Sequence, residues 1–144
     1  AISATFAAVN CGSNIAYQRP VWTSSIPGAG YEGSKAVDAN GNTRWSSAFA
    51  DHQSIYVDLG ANYNVNRVRL AWENAYAKDY QIQFSTNGTT WTTVREFWGK
   101  TSAAADNQTG LTGTARYVKV YCVNRATQYG FSLWEFEVYG APAP

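Results

Sequence analysis

The sequence predicts an all-β protein, a jelly-roll β-sandwich of about eight antiparallel strands. Apolar and polar residues alternate with a period of two, in short stretches separated by Gly, Asn, Ser and Thr. No stretch combines the length, the composition and the 3.6-residue period of an amphipathic helix, so we expect very little helix.

The first clear strands lie in the middle of the chain. Residues 55–59 and 65–72 alternate as two separate strands, and Trp72 falls on a core-facing position. In residues 80–84, Tyr, Ile and Phe alternate with two Gln, and the following Ser-Thr-Asn-Gly predicts a hairpin turn. Residues 91–94 form the returning strand.

The last strands are residues 117–121 and 133–139. In the second of these, Trp134 shares a face with Phe136 and Val138, opposite Glu135 and Glu137. Longer polar stretches separate the strands, and binding residues are expected there because the sheets supply a rigid frame for exposed loops. These stretches are residues 23–34, 46–53, 73–79, 99–113 and 124–132.

Length and composition indicate one globular domain. The chain has 144 residues, of which 45% are hydrophobic and 15% charged, and no apolar run approaches the roughly 20 residues of a membrane span. We assign residues 1–140 to a single domain and the Ala-Pro-Ala-Pro of residues 141–144 to the start of a linker. Eleven basic and ten acidic residues leave a net charge of +1, which disfavours nucleic acid as a partner.

The two cysteines leave two alternatives open. Cys11 and Cys122 could form a disulfide between the N-terminal segment and a late strand, or both could be buried free thiols. The chain has no CxxC motif and no Cys/His cluster, which argues against a zinc site.

Five blocks of sequence, in a consistent order, resemble the discoidin (factor V/VIII C-type) superfamily, and within it the family 32 carbohydrate-binding modules of bacterial glucanases and chitosanases. The resemblance implies an eight-stranded jelly roll that binds sugar with loops at one end. It further implies a secreted, monomeric module, covalently linked to a catalytic domain. The blocks are AYQRPV at 16–21, KAVDANGNTRWSS at 35–47 with IYVDLG at 55–60, YQIQFS at 80–85, ARYVKV at 115–120 and LWEFEVYG at 133–140.

The resemblance also implies a structural Ca²⁺. Calcium takes six to eight oxygen ligands, and the segment 35–43 is rich in suitable groups. Chemistry alone favours a simple Asx turn at 38–41, with Glu135 as a solvated strand residue. The implied ligands are the carbonyls of Lys35, Asn40 and Trp134, the carboxylates of Asp38 and Glu135, and the carbonyl and hydroxyl of Thr43.

A sugar site needs an aromatic face and a few polar groups that bind hydroxyls. The resemblance assigns this role to Arg44 and to Phe49, five residues later. Two facing loops supply the remaining candidates, which are Glu73, Tyr76, Lys78, Gln128 and Tyr129. The alternatives are an ion pair for Arg44, a loop anchor for Phe49 and capping of the core by the two Tyr.

The choice of sugar follows from departures from the family pattern. Galactose-binding relatives use a His, an Arg and an Asn, whereas this chain offers His52 without those partners. Chitosan-binding relatives carry acids near the first long loop, where this chain has an apolar segment and Glu32 nearby. We therefore expect a neutral β-1,3-glucan first and chitosan second.

Two other classes of function are less consistent with the sequence. An enzyme would need a nucleophile with a base, paired acids or an open metal, and none of these patterns is evident, so we predict a non-catalytic module. An adhesion or phospholipid-docking domain would use apolar spikes such as Ile26, Tyr31 and Phe49. The charge balance supplies no basic rim for that role, so no membrane partner is expected.

Overall fold

The computed structural model describes residues 13–144, in which eight strands are joined by loops and one short 3-10 turn, Gly33–Ala36. The predicted all-β fold with minimal helix is thereby confirmed. No helix in residues 13–144 has the length and apolar character needed to cross a membrane. The strands are β1 Val21–Thr23, β2 Trp45–Ser46, β3 Gln53–Trp72, β4 Ala77–Ser85, β5 Thr92–Phe97, β6 Asp106–Gln108, β7 Thr114–Arg125 and β8 Ser132–Pro142.

The long strand β3 organises the fold. All pairings are antiparallel, in the order β2-β8-β3-β7-β4-β5, with β1 and β6 also pairing with β3. The first part of β3 pairs with β1 and β7, and the last part pairs with β6 and β8. A register shift after Asp58, next to Gly60 with its positive φ of 85°, separates the two parts.

The core lies between these two parts of the sheet. Alternate residues of β3, β4, β7 and β8 point inward and are fully buried, as a period of two requires. Burial of each large apolar side chain contributes about 1.5–3 kcal/mol. The largest fully buried side chains include Trp45, Tyr80, Phe131, Phe136, Ile55, Leu59 and Leu70.

Two details of the strand predictions were wrong. The two strands predicted at 55–59 and 65–72 are parts of one continuous strand, β3. The expected alternation in β8 also breaks, because Ala71 pairs with Glu135 and Trp72 with Leu133, which leaves Trp134 as an extra residue. Trp134 is therefore half-buried outside the core, while Leu133 and Glu135 on either side of it are buried.

The predicted hairpin connects β4 and β5, with residues 86–91 forming the turn. The carbonyl oxygen of the Asn87 side chain accepts bonds from the backbone N–H groups of Thr89 and Thr90, and Ser85 Oγ accepts from Gly88 N. Gly88 has a positive φ of 79°, as the Asn-Gly pattern indicates. The returning strand begins at Thr92.

A buried polar network holds the loop 98–105 against the core. Asp106 accepts bonds from Trp72 Nε1 at 2.9 Å, Tyr80 Oη at 2.7 Å and Lys100 Nζ at 3.0 Å. Burial raises the pKa of Tyr80 far above its ordinary value, with a smaller contribution from Asp106. Lys100 is 7% exposed and also donates to the Ala104 carbonyl, so its charge is well compensated.

The two predictions about the cysteines and the chain end stay predictions. Cys122 is fully buried on β7, and burial raises the pKa of its thiol. Cys11 lies outside the described residues, so the proposed disulfide is untested. Residues 143 and 144 follow β8 at the C-terminus.

Candidate functional site

Loops at one end of the sandwich enclose a cleft of about 480 Å³. The loops are those before the 3-10 turn, around β2, after β3 and between β7 and β8. We call it the loop-end cleft. It is lined by Pro27, Tyr31, Arg44, Ser46, Phe49, Glu73, Asn74, Ala75, Thr127, Tyr129, Gly130 and Ser132.

Arg44 is held in the cleft by aromatic rings. Its guanidinium carbon lies 5.0 Å from the ring centroid of Tyr31 and 5.3 Å from that of Trp134. Its Nε donates to Ser46 Oγ at 3.4 Å. Among the described residues Arg44 forms no ion pair, so its other donors remain available to a ligand.

Phe49 and Tyr129 form the aromatic part of the cleft. Their ring centroids lie 5.7 Å apart in an edge-to-face arrangement with an interplanar angle of 82°. Phe49 is 61% exposed and Tyr129 is 53% exposed. Side chains this exposed do not anchor a loop or cap a core, so both rings offer apolar surface to the cleft.

Glu73 is the carboxylate among the cleft-lining residues. It follows β3 directly, and its backbone N–H donates to the Ser132 carbonyl at 3.0 Å. Its Oε1 accepts a bond from Ala75 N at 2.7 Å, which orients the side chain. Its Oε2 has no partner among the described residues and can accept a bond from a ligand.

Gly130 brings two cleft loops together. A Cβ at this position would lie 2.5 Å from the Ser47 carbonyl oxygen and 2.7 Å from that of Ala48. Ser47 Oγ also accepts a hydrogen bond from Phe131 N at 2.9 Å, and this bond holds the same two loops together. The positions of Phe49 and Tyr129 therefore depend on a contact that only glycine permits.

Three predicted sugar-binding residues do not line the cleft. Tyr76 packs against the core, with Lys100 Nζ 5.9 Å from its ring centroid, as the capping alternative requires. Lys78 is exposed, and its carbonyl accepts a bond from Lys100 N. Gln128 is exposed, and its carbonyl accepts from Arg125.

His52 also lies outside the cleft lining. Its Nδ1 is 2.9 Å from Tyr121 Oη, and its backbone has a positive φ of 60°. The cleft therefore offers no His-based group of the kind that the galactose-binding pattern requires.

Sequence reasoning missed two aromatic partners of Arg44. Tyr31 is predicted only as an apolar spike, and Trp134 is predicted to share the face of Phe136 and Val138. The bulge in β8 that exposes Trp134 depends on strand pairing, which the sequence pattern does not reveal. The Ser46–Ser132 contact, 2.7 Å between the two Oγ atoms, likewise depends on the pairing of β2 with β8.

The loop predicted to bind calcium is tightly closed. Thr43 Oγ1 lies 2.5 Å from Asp38 Oδ2, 3.1 Å from the Asn40 carbonyl oxygen and 3.4 Å from that of Lys35. The structure thus brings four of the predicted ligand residues together. No group of three or more His, Cys, Asp or Glu side chains that could hold a metal occurs in residues 13–144, so this loop offers mainly neutral oxygens.

Glu135 adds a second carboxylate from β8. Its Oε1 accepts a bond from Ala39 N at 3.1 Å, and Ala39 adopts a positive φ of 56°. Its Oε2 is buried without a hydrogen-bond partner. Burial raises the pKa of Glu135 to about 8, and the neighbouring Asp38 carboxylate adds to the effect. A buried, unpartnered carboxylate oxygen beside a second carboxylate fits a hard cation with oxygen ligands.

The loop of residues 35–43, which we call the oxygen-rich loop, is directly connected to the cleft. Thr43 of the loop precedes Arg44 of the cleft, and Glu135 follows Trp134, whose ring supports Arg44. Any group that fixes the loop therefore also restricts the position of the Arg44 guanidinium.

The comparison with known proteins identifies the family. The F5/8 type C domain model matches residues 20–136. The chain therefore belongs to the F5/8 type C, or discoidin, domain family, as the five sequence blocks predicted. No curated protein sequence matches the chain.

Solved structures extend this assignment. Chitosan-binding module 1, derived from a chitosanase/glucanase of Paenibacillus sp. IK-5, is 48% identical, with a TM-score of 0.85 over 89% of this chain and 99% of that one. Module 2 of the same enzyme, solved in complex with chitotriose, is also 48% identical, with a TM-score of 0.85 over 88% of this chain and 100% of that one.

A more distant structure shares the fold alone. The module CBM32-3, from a family 31 glycoside hydrolase of Clostridium perfringens, is 22% identical, with a TM-score of 0.75 over 93% of this chain and 97% of that one. Together with the Paenibacillus modules, this structure confirms the predicted jelly-roll fold. The prediction of a non-catalytic module is confirmed by the family and by its relatives, which are binding modules.

Proposed function

We propose that this protein is a carbohydrate-binding module whose loop-end cleft binds chitosan, with neutral β-glucan as the second ligand. The observation that carries this proposal is the combination of two exposed rings with Arg44 and the half-satisfied carboxylate of Glu73 in one cleft. The 48% identical Paenibacillus modules, one of them solved with chitotriose, support the same class of ligand.

Three kinds of group in the cleft would each bind a different part of a sugar. Phe49 and Tyr129 cover the C–H face of a sugar ring, where apolar contact is favourable. Arg44 donates hydrogen bonds to hydroxyl oxygens. Glu73 accepts from a hydroxyl or, with a larger electrostatic gain, from a glucosamine ammonium.

Glu73 determines which of the two ligands, chitosan or neutral glucan, binds with the higher affinity. Arg44 and Glu73 form no ion pair with each other, so the carboxylate is available to a cation. Glu32, the other acid considered at the sequence level, does not line the cleft and instead accepts a bond from Gly30 N at 2.9 Å. A single available carboxylate favours the amino sugar, which reverses the order expected from sequence.

Titration calorimetry with chitosan hexaose and laminarihexaose tests this proposal. We expect Glu73→Gln, which keeps the shape and removes the charge, to weaken chitosan binding roughly tenfold. Binding of the neutral glucan should change less than twofold. Arg44→Ala should weaken the binding of either ligand at the cleft.

Lys78→Ala is the matched control, because this exposed residue was predicted for the site but lies outside the cleft. Chitosan binding that is unchanged in both Glu73→Gln and Arg44→Ala would place the site elsewhere. Sedimentation with anionic liposomes examines the phospholipid alternative, for which we expect the protein to stay in the supernatant.

We further propose that the module is secreted and brings a linked polysaccharide-degrading enzyme to its substrate. Fused to a chitosanase catalytic domain, it should increase the hydrolysis of insoluble chitosan without affecting soluble oligosaccharides. The Arg44→Ala fusion should lose this gain. Equal rates for the two fusions on insoluble chitosan would contradict the targeting role.

We also propose that the 35–43 loop and Glu135 bind a structural Ca²⁺. The support is the closed cluster of oxygens around Thr43 and the unpartnered Glu135 Oε2. Lys35, Asn40 and Trp134 would contribute carbonyls, Asp38 and Glu135 carboxylates, and Thr43 its carbonyl and hydroxyl. The ion would neutralise two acids and stabilise the loop.

Thermal unfolding with and without calcium tests the metal proposal. Extracellular calcium modules bind with dissociation constants of roughly 10⁻⁴–10⁻³ M, so 10 mM Ca²⁺ should add about 1.4–2.7 kcal/mol of stability. For a domain of this size that raises Tm by about 3–10 °C. Asp38→Asn should reduce the rise, whereas Mg²⁺ should not reproduce it. An identical Tm in EGTA and in calcium would contradict the proposal.

A further inference from the structure

A group of aromatic side chains covers part of the outer face of the sheet, away from the loop-end cleft. Trp22 on β1 stacks on Tyr56 of β3, with ring centroids 5.2 Å apart and an interplanar angle of 25°. Trp91, from the β4–β5 turn, lies 5.2 Å from Tyr56, and Tyr117 lies 5.9 Å from it. None of these residues lines the cleft.

Strand pairing explains why these side chains meet. Tyr56 pairs with Trp22 on one side and with Lys119 on the other, and Lys119 pairs in turn with Gln83 on β4. Residues directly opposite in neighbouring strands place their side chains on the same face. We call this surface the sheet-face platform, formed by Trp22, Tyr56, Gln83, Trp91, Tyr117 and Lys119.

We propose that the sheet-face platform is a second sugar site, which binds a neutral β-glucan chain and disfavours chitosan. The core of the protein does not account for these rings, because Trp22 is 49% exposed and the other three are only half-buried. Trp22 is also held flat against Tyr56, so little side-chain entropy is lost when a sugar stacks on its open face.

Polar groups beside the rings match a sugar rather than an apolar protein surface. Gln83 Nε2 donates to Gln81 Oε1 at 2.9 Å, which leaves Gln83 Oε1 without a partner among the described residues. Tyr121 pairs with Gln81, next to Lys119 on β7, and adds a hydroxyl at the edge. A ring face flanked by amide and hydroxyl groups suits the alternating C–H and O–H surfaces of a pyranose.

The charge of the platform selects between the two glycans. Lys119 Nζ lies 4.0 Å from the ring centroid of Trp91 and forms no ion pair among the described residues. Asp58, which pairs directly with Tyr117, is already bonded to Arg116 at 2.9 and 3.0 Å. Glu96, a strand further on, accepts a bond from Gln81. Among the described residues, the platform's own charge without an ion-pair partner is thus a positive one, which repels a protonated glucosamine chain.

Laminarin and chitosan hexaose, titrated separately, distinguish the two sites. We expect Trp22→Ala to weaken laminarin binding roughly tenfold, as loss of a central aromatic contact does, and to leave chitosan hexaose within twofold. Trp98→Ala is the matched control, because Trp98 is 55% exposed and makes no ring contact with the platform. Glu73→Gln should give the opposite pattern to Trp22→Ala.

Laminarin affinity that is unchanged in Trp22→Ala, or absent from the wild type, would overturn the second site without affecting the chitosan proposal. If the Trp22→Ala variant does not fold, nuclear magnetic resonance of the wild-type protein tests the same site. Laminarihexaose should shift the indole N–H signals of Trp22 and Trp91, assigned with the Trp22→Phe and Trp91→Phe variants. Shifts confined to the surroundings of Arg44 and Phe49 would also overturn the proposal.

Discussion

The loop-end cleft and the sheet-face platform present similar side chains on very different supports. The cleft is assembled from four loops, whose positions depend on close backbone approaches and on an oxygen-rich loop next to Arg44. The platform is assembled mainly on neighbouring strands, whose pairing places Trp22, Tyr56 and Tyr117 on one face, and Trp91 joins them from the β4–β5 turn. The geometry of the cleft can therefore be lost without unfolding the protein, whereas the geometry of the platform's strand residues changes only when the sheet is altered.

The charges of the two surfaces differ as well. The cleft has an available carboxylate, Glu73, and the platform has an available ammonium group, Lys119. Two surfaces on one module that favour different glycans would let the module bind a mixed polysaccharide. A change in the shared sheet should affect both surfaces, whereas a change in the support of one surface should leave the other intact.

The largest effect is expected from Gly140→Ala, which should damage both surfaces. A Cβ there would lie 2.2 Å from the Asn64 carbonyl oxygen and 2.8 Å from the Cα of Val65, so β8 and β3 would have to separate. We expect a loss of about 3 kcal/mol or more and a Tm at least 6 °C lower, measured by calorimetry. Gly28→Ala, where a Cβ meets nothing within 4 Å, is the control.

Gly130→Ala should damage the cleft alone. The Cβ would meet the Ser47 and Ala48 carbonyls at 2.5 and 2.7 Å and push the two loops apart. We expect about 1–3 kcal/mol of destabilisation and more than tenfold weaker chitosan binding, with laminarin binding retained at the platform. Equal loss of both ligands would show that the two surfaces are not independent.

Trp134→Ala should affect the cleft through Arg44. The ring supports the guanidinium at 5.3 Å, and a cation–π contact of this kind contributes about 1 kcal/mol. We expect chitosan affinity to fall about fivefold while the calcium-dependent rise in Tm remains, because the backbone carbonyl of residue 134 is kept. Calorimetric affinity and thermal unfolding, measured on the same preparation, report the two effects. Loss of the calcium effect would instead indicate that the whole loop has moved.

Removal of calcium should weaken the cleft and spare the platform. With the loop less ordered, Arg44 loses part of its support, and we expect about fivefold weaker chitosan binding in EGTA. Laminarin binding in an Arg44→Ala background, where the cleft no longer contributes, should not change. A fall in laminarin affinity of the same size would contradict the assignment of the two surfaces to separate supports.

The smallest effect is expected from Asp58→Asn at the edge of the platform. A hydrogen bond from Arg116 lowers the pKa of Asp58, so its contribution to stability is present above the ordinary pKa and is lost as pH falls through the lowered one. The pair is partly exposed, so we expect a cost of about 1 kcal/mol or less near neutral pH. Urea unfolding at neutral pH and below pH 3 should show a difference only at neutral pH.

Much of the fold was readable from the sequence, because a strand with one buried face must alternate. Ile55 and Val57 in β3, and Val118 and Val120 in β7, point inward as their spacing predicted. The failures occurred where strand pairing is irregular. The bulge that turns Trp134 outward is a property of two strands together, and neither strand carries a local sign of it.

The candidate site was readable only in part. Arg44 and Phe49, which the resemblance implied, line one cleft with Glu73 and Tyr129 from the two facing loops, whereas Tyr76, Lys78 and Gln128 lie beside it. Tyr76 and Lys78 lie outside the cleft because both are in contact with Lys100. That contact joins positions more than twenty residues apart, so no local pattern reports it.

The sequence by itself determined the strands, the oxygen-rich loop and the family, because these depend on periodicity and on short ordered motifs. The tertiary structure decided which side chains share a surface. Trp22, Tyr56 and Lys119 appear in the sequence as unrelated outward-facing residues, and only the register between β1, β3 and β7 brings them together. The sequence pattern indicates which face of a strand a side chain occupies, whereas the register between paired strands determines its neighbours.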